Sequence, residues 1–166
     1  KIIMIHRRSA LFLFIIIFAI ASMVVAPKPA KAAGTVVTCT EVALDTALTG
    51  GGTVDFAIGA PCTIVFTATK AIASGTTTIQ NTSGFSVTFD GANAVRLFTV
   101  SAGATLNMSN LTVTRGSAAT GNGGAIDNAG TLNVTSMTFS NNATVNGSGG
   151  AIINTGTLSI SAVTFV

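Results

Sequence analysis

The sequence predicts an all-β fold, a parallel β-helix closed at its N-terminal end by a short capping α-helix. Three observations predict it. First, a repeat of 26 residues runs through residues 98–166: Gly123–Phe139 lies over Gly149–Phe165 with ten of seventeen positions identical, and a weaker copy, Phe98–Arg115, sits one period upstream. A fixed period of this size is the mark of a solenoid. Second, apolar residues alternate with polar ones inside each copy, with Leu132 and Val134 on one side and Thr131, Asn133 and Thr135 on the other. That is the period of a half-buried strand. Third, Gly and Asn interrupt the alternation at fixed places, so each copy makes three short strands joined by corners.

From the N-terminus, residues 1–32 read as a secretory signal peptide. His6, Arg7 and Arg8 form a basic start, Leu11–Ala26 is an apolar run, and Ala30-Lys31-Ala32 fits the A-x-A rule, with cleavage between Ala32 and Ala33. Met4, just ahead of the basic residues, reads as the start, with Lys1–Ile3 upstream of it. The alternative is an uncleaved anchor, but a spanning helix wants about 20 apolar residues. Once the signal is removed no transmembrane segment is expected, and the protein is placed outside the cell or on its surface. Five of the eight Lys/Arg lie before the cut. Lys70, Arg96 and Arg115 then face Glu41, Asp45, Asp55, Asp90 and Asp127, three basic side chains against five acidic, net −2. The basic balance belongs to the signal and gives no reason to expect a nucleic-acid partner.

Residues 33–62 read as an N-terminal cap and first strand. Thr38 and Glu41 have capping-box spacing, Leu44 and Leu48 lie one turn apart, and Gly50-Gly51-Gly52 is a stop, which predicts a helix over 39–49. Laid across the first coil, it would cover strand edges that otherwise invite aggregation. Cys39 and Cys62 are the two cysteines of the chain. In an exported protein they are expected to pair, stabilising by about 3 kcal/mol through loop closure; buried free thiols are the alternative.

Residues 63–97 read as irregular first coils. Thr53–Ala57, Thr63–Thr67, Thr76–Gln80 and Phe85–Phe89 look like strands, but they fit the repeat poorly. Residues 98–166 form the regular coils, and the 26-residue offset stacks their interiors in ladders: Leu106, Leu132 and Leu158; Met108, Val134 and Ile160; Leu111, Met137 and Val163; Val113, Phe139 and Phe165; and Val100, Ile126 and Ile152. Asn128 over Asn154 is expected as a corner ladder of amides. The sequence stops inside a coil, so the expectation is of an N-terminal portion of a longer repeat protein, with further coils to follow. In isolation this portion is expected to self-associate through its last rung.

Gly-Gly-Ala-Ile at Gly123–Ile126, followed by F-x-x-N at Phe139–Asn142, resembles the paired repeat of the polymorphic outer-membrane proteins of chlamydiae, and more broadly the exported bacterial β-helix repeat proteins. GGAI recurs at Gly149–Ile152. The resemblance implies a right-handed, pectate-lyase-like β-helix at the cell surface, of the kind used in adhesins and autotransporter passengers. The segment Cys39-Thr40-Glu41, with Ala43-Leu44 behind it, partly resembles the N-terminal cap of bacterial β-helix surface proteins.

The chemistry-bearing residues are few. The only His is His6, and Tyr and Trp are absent, so a Ser-His or Cys-His nucleophile is excluded after the signal. The five acids are scattered. Asp127 aligns with Ser101 and Ile153, which builds neither a Ca²⁺ wall nor paired carboxylates. Asp127 reads as a turn residue, and Arg96 and Arg115 as solvated surface residues. No catalytic residue, cofactor or metal is therefore expected. The remaining functional surface is outward: Thr105, Thr131 and Thr157 beside Asn107, Asn133 and Ser159, with Thr112, Thr138 and Thr164 as a second row. The expected function is an exported structural or adhesive scaffold, its partners cell-surface carbohydrate or a host or neighbour-cell protein. Two alternatives stand beside it: a polysaccharide-active lyase or glycosidase whose catalytic coils lie beyond Val166, and a threonine face that binds ice or carbohydrate.

Overall fold

The computed structural model describes residues 32–119 and 121–166; the expected signal peptide, apart from Ala32, lies outside them. Three parallel sheets share one apolar interior. The first holds, in spatial order, β1 (Ala32–Val36), β2 (Gly52–Phe56), β5 (Thr76–Gln80), β8 (Thr105–Ser109), β12 (Thr131–Thr135) and β16 (Thr157–Ser161). The second holds β3 (Cys62–Val65), β6 (Val87–Asp90), β9 (Thr112–Thr114), β13 (Thr138–Ser140) and β17 (Thr164–Phe165). The third holds β4 (Lys70–Ile72), β7 (Phe98–Val100), β11 (Ile126–Asn128) and β15 (Ile152–Asn154). β10 (Ser117–Ala118) and β14 (Ala143–Thr144) pair at one corner, and a short helix, α1 (Glu41–Leu48), lies between β1 and β2. Neighbouring strands come from successive coils and run parallel, so the described residues form an all-β solenoid with one short helix.

The registers follow the 26-residue period where the repeat is regular. Leu106, Leu132 and Leu158 stack, as do Met108, Val134 and Ile160, and Val113, Phe139 and Phe165. One expected ladder is wrong. Val100 pairs with Asn128, and it is Phe98 that pairs with Ile126. The corner between β7 and β8 spans residues 101–104, whereas the next coil turns with residues 129 and 130 alone. Two extra residues slide β7 back by two positions. An even slip preserves which face each side chain takes, so Phe98 and Val100 both stay buried.

The upstream coils differ in corner length, while their strands stack without a break. Gly52 pairs with Thr77, 25 residues on; Thr88 with Thr112, 24 on; and Thr76 with Thr105, 29 on. Tilted and edge-to-face contacts among Phe56, Phe66, Phe89 and Phe98, with centroids 5.3–6.0 Å apart, fill the interior there. β1 and β4 were not foreseen: Ala-Ala-Gly-Thr-Val lacks clear alternation, and Lys70 puts a charge at an inward position. The expected cut after Ala32 would fall behind the first residue of β1.

Burial decides which ladder members are core. Leu106, Leu132, Met108, Val134, Leu111, Met137, Val113, Phe139, Val100 and Ile126 are all buried. The last rung is not, contrary to its placement in the repeat core. Ile152, Leu158 and Val163 are half-buried, and Ile160 and Phe165 are 48% and 49% exposed. That rung has a neighbour on one side only, though Phe165 stacks on Phe139 at 5.2 Å.

Corners repeat as faithfully as strands. Asn110, Ser136 and Ala162 take φ of 58°, 53° and 52° one above another, where the chain passes from the first sheet to the second. A non-glycine residue held there costs about 1 kcal/mol or more, and the stacked coils impose it each time. Asn128 is fully buried; its Nδ2 donates to Asn154 Oδ1 and to Thr157 O, and its Oδ1 accepts from Gly130 N. The amide ladder therefore also holds the turn.

The cap is built differently from the expected box. The N-cap is Thr40, whose Oγ1 accepts from Ala43 N at 3.3 Å, and α1 spans Glu41–Leu48 rather than 39–49. Leu44 and Ala47 face the interior. Ala47 sits so close over Gly34 of β1 that a Cβ on Gly34 would overlap it. Glu41 turns away from its own helix: its carboxylate accepts from Thr67 N (2.9 Å) and Thr67 Oγ1 (2.7 Å), covering backbone that no strand pairs. Lys70 occupies the ladder that continues as Phe98, Ile126 and Ile152. Its ammonium lies 2.6 Å from Glu41 and 2.7 Å from Asp45, and 5.4 Å from the Phe66 ring centroid. One interior ladder thus ends in a cation paired with the cap's carboxylates, which makes the first coil unlike the rest, as a solenoid terminus requires. Cys39 and Cys62 form a disulfide that ties the approach to α1 to β3.

Burial alone would raise the Glu41 pKa, but the hydrogen bonds from Lys70 and Thr67 outweigh it and bring it down to about 2. A carboxyl lowered on folding stabilises the fold above its unfolded value and loses that contribution as pH falls through the folded one. The gap in Tm between the native chain and Glu41→Gln is therefore expected to be wide above pH 4.5 and to close toward pH 2. Thermal melts of the two proteins across that range check it; a gap independent of pH would remove the Glu41 carboxylate from the cap's energetics.

Candidate binding face

Side chains alternate across each strand, so the outward positions of the first sheet form three rows. One row is Thr76, Thr105, Thr131 and Thr157, and the next is Thr53, Thr78, Asn107, Asn133 and Ser159. The third is Thr35, Asp55, Gln80, Ser109, Thr135 and Ser161. The six residues expected from the repeat lie side by side in the first two rows. Thr53, Thr76 and Thr78 were missed because their coils are offset by 25 and 29 residues rather than 26.

The rows are tied along the solenoid axis. Asn133 Nδ2 donates to Asn107 Oδ1 at 2.8 Å, and Asn107 Nδ2 donates to Thr78 Oγ1 at 3.0 Å. Gln80 Nε2 donates to Asp55 Oδ2 at 3.1 Å. Burial works to raise the Asp55 pKa, and hydrogen bonds from Thr82, Gln80 and Phe56 overcome it, so the carboxyl ends lower than usual. These bonds set the amide orientations and leave a wall of hydroxyls and amides that can both donate and accept.

The second sheet carries a longer row than expected. Thr63 and Thr88 join Thr112, Thr138 and Thr164 in one unbroken ladder of five. A signal was present in the sequence: each is a Thr between two apolar residues, as in Cys62-Thr63-Ile64 and Val87-Thr88-Phe89.

The charged residues hold coils together. Arg115 is not a free surface residue. It donates through Nε to Asp90 Oδ1 at 2.9 Å and through a second nitrogen to Oδ2, and Asp90 is 3% exposed. The Arg115 hydrogen bond is the main reason the Asp90 carboxyl lies below its usual value. Arg96 donates to the carbonyls of Gly123 and Asn122 and lies 3.1 Å from Asp127. Asp127 stands in the middle of β11, not in a turn. Both arginines bridge adjacent coils beside the long corners after the second sheet, where fewer strand bonds fix the chain. Among the described residues no three His, Cys, Asp or Glu gather as metal ligands, and no helix is long and apolar enough to cross a membrane.

Fold and faces define a parallel β-solenoid scaffold that presents flat, hydrogen-bonding walls. No family model, curated protein or solved structure matches the chain.

Proposed function

We propose that this chain is an exported bacterial scaffold, secreted or held at the cell surface, whose first-sheet wall adheres to neutral carbohydrate or to the surface of another cell. No catalysis is assigned to this segment. One observation carries the reading: the outward positions over the five stacked strands β2, β5, β8, β12 and β16 are Thr, Ser, Asn, Gln and a single Asp, in register. The wall presents no Lys, Arg or aromatic side chain, and Asp55 is already engaged. It therefore suits a neutral, hydroxyl-rich partner better than an anionic one. The N-terminal sequence and the Cys39–Cys62 disulfide support export, since such bonds persist in oxidising compartments.

The test is binding to neutral polysaccharides, measured for the native chain and for Asn133→Lys and Thr105→Lys. Both residues point outward, so melting should change little while binding falls about tenfold, equivalent to about 1.4 kcal/mol. Unchanged binding in both variants would move the ligand off this wall. The five-threonine ladder of the second sheet favours a second reading, an array that orders water or ice. An ice-recrystallisation assay on Thr112→Lys separates that reading from carbohydrate adhesion.

A further inference from the structure

Two Asn-Gly dipeptides lie in the stacked corner loops that follow the second sheet, Asn122-Gly123 and Asn146-Gly147. The sequence does not distinguish them, but the structure does. In the first, the amide oxygen and the attacking nitrogen are both engaged. Asn122 Oδ1 accepts from Ser148 N at 2.6 Å, and Gly123 N donates to Ser148 O at 2.9 Å. Arg96 holds the carbonyls of both residues. In the second, Asn146 is exposed, and among the described residues neither its side-chain amide nor Gly147 N takes part in a hydrogen bond. Gly147 itself is dictated by packing, because a Cβ there would overlap the carbonyl of Gly121 in the coil below. Close stacking of the coils thus places an unhindered glycine after an exposed asparagine.

We propose that Asn146 is a site of spontaneous modification through a succinimide, and that Asn122 is protected from it. Gly147 N attacks Asn146 Cγ; the new C–N bond closes a five-membered imide, the amide nitrogen leaves as ammonia, and the amide proton passes to solvent. Water then opens the imide at one carbonyl or the other, leaving aspartate or isoaspartate at position 146. Each product adds one negative charge to the exposed loop, and the isoaspartate also lengthens the backbone by one methylene. Asn122 resists because its amide oxygen and the attacking nitrogen would both have to leave hydrogen bonds first.

Folded full chain is incubated in mildly alkaline buffer and followed by peptide mapping. The peptide holding Asn146 should gain the mass of an NH₂-to-OH exchange and split into two isomers. It should do so about tenfold or more faster than the Asn122 peptide, the ratio set by a few hydrogen bonds. In denaturant the two sites should convert at similar rates, and Asn146→Gln should remove the fast phase. Equal rates in the folded chain, or an unchanged Asn146 in folded protein whose denatured control converts, would overturn the proposal.

Discussion

Leu132→Asp should abolish cooperative folding at room temperature, while Thr131→Asp, the adjacent residue, should cost about 1 kcal/mol or less. Leu132 is fully buried between Leu106 and Leu158, with Val134 and Met108 on the neighbouring ladder. Truncating a buried leucine costs about 2–5 kcal/mol by itself. An unpaired buried charge adds several more, because no cation or donor lies within the ladder to compensate it. That total approaches the whole stability of a small domain, about 5–15 kcal/mol. Thr131 points outward, half-buried among Thr105 and Thr157, where water reaches a carboxylate. Thermal melts followed by circular dichroism compare the two variants. Similar losses would mean that the inward and outward assignment of β12 is wrong.

The paired change Cys39→Ser with Cys62→Ser should destabilise by about 3 kcal/mol, through the closed loop it releases in the unfolded chain. The cysteines are 23 positions apart, and the bridge is a covalent link between the approach to α1 and β3. The variant should keep its cap, since Leu44 and Ala47 remain buried and Lys70 remains paired with Glu41 and Asp45. Urea titrations should therefore show a lower midpoint and a slope at least as steep as the native chain's, since the released unfolded chain exposes more surface. A loss under about 1 kcal/mol would show that the unfolded chain gains little freedom when the bridge is removed.

Much of the solenoid was legible because its forces are periodic. Strand alternation and a 26-residue offset place Leu106, Leu132 and Leu158 in one ladder without reference to anything else in the chain. The same arithmetic failed at Val100, where two extra corner residues shift the register, and upstream, where the offset varies from 24 to 29. Corner length leaves no trace in side-chain alternation, so only the assembled coils reveal it. The candidate face was half legible for this reason. Thr105, Thr131 and Thr157 could be aligned by counting, and Thr53 and Thr76 could not.

The charged residues were the least legible. Glu41 was assigned to a capping box because Thr38 stood three positions before it, yet its carboxylate serves Thr67 and Lys70 in a coil that folds over from far along the chain. Arg96 and Arg115 looked like solvated residues because their partners, Asp127 and Asp90, lie 31 and 25 positions away.

The sequence by itself determined the repeat, the strand type and the presence of a cap helix. Each is either local or strictly periodic, and one side chain's preference is enough to signal it. Only the tertiary structure decided the register of the unequal coils, the role of every ion pair and the fivefold threonine ladder. Those depend on which residues one turn of the solenoid sets above another, and that is fixed by the summed lengths of three corners rather than by any single residue.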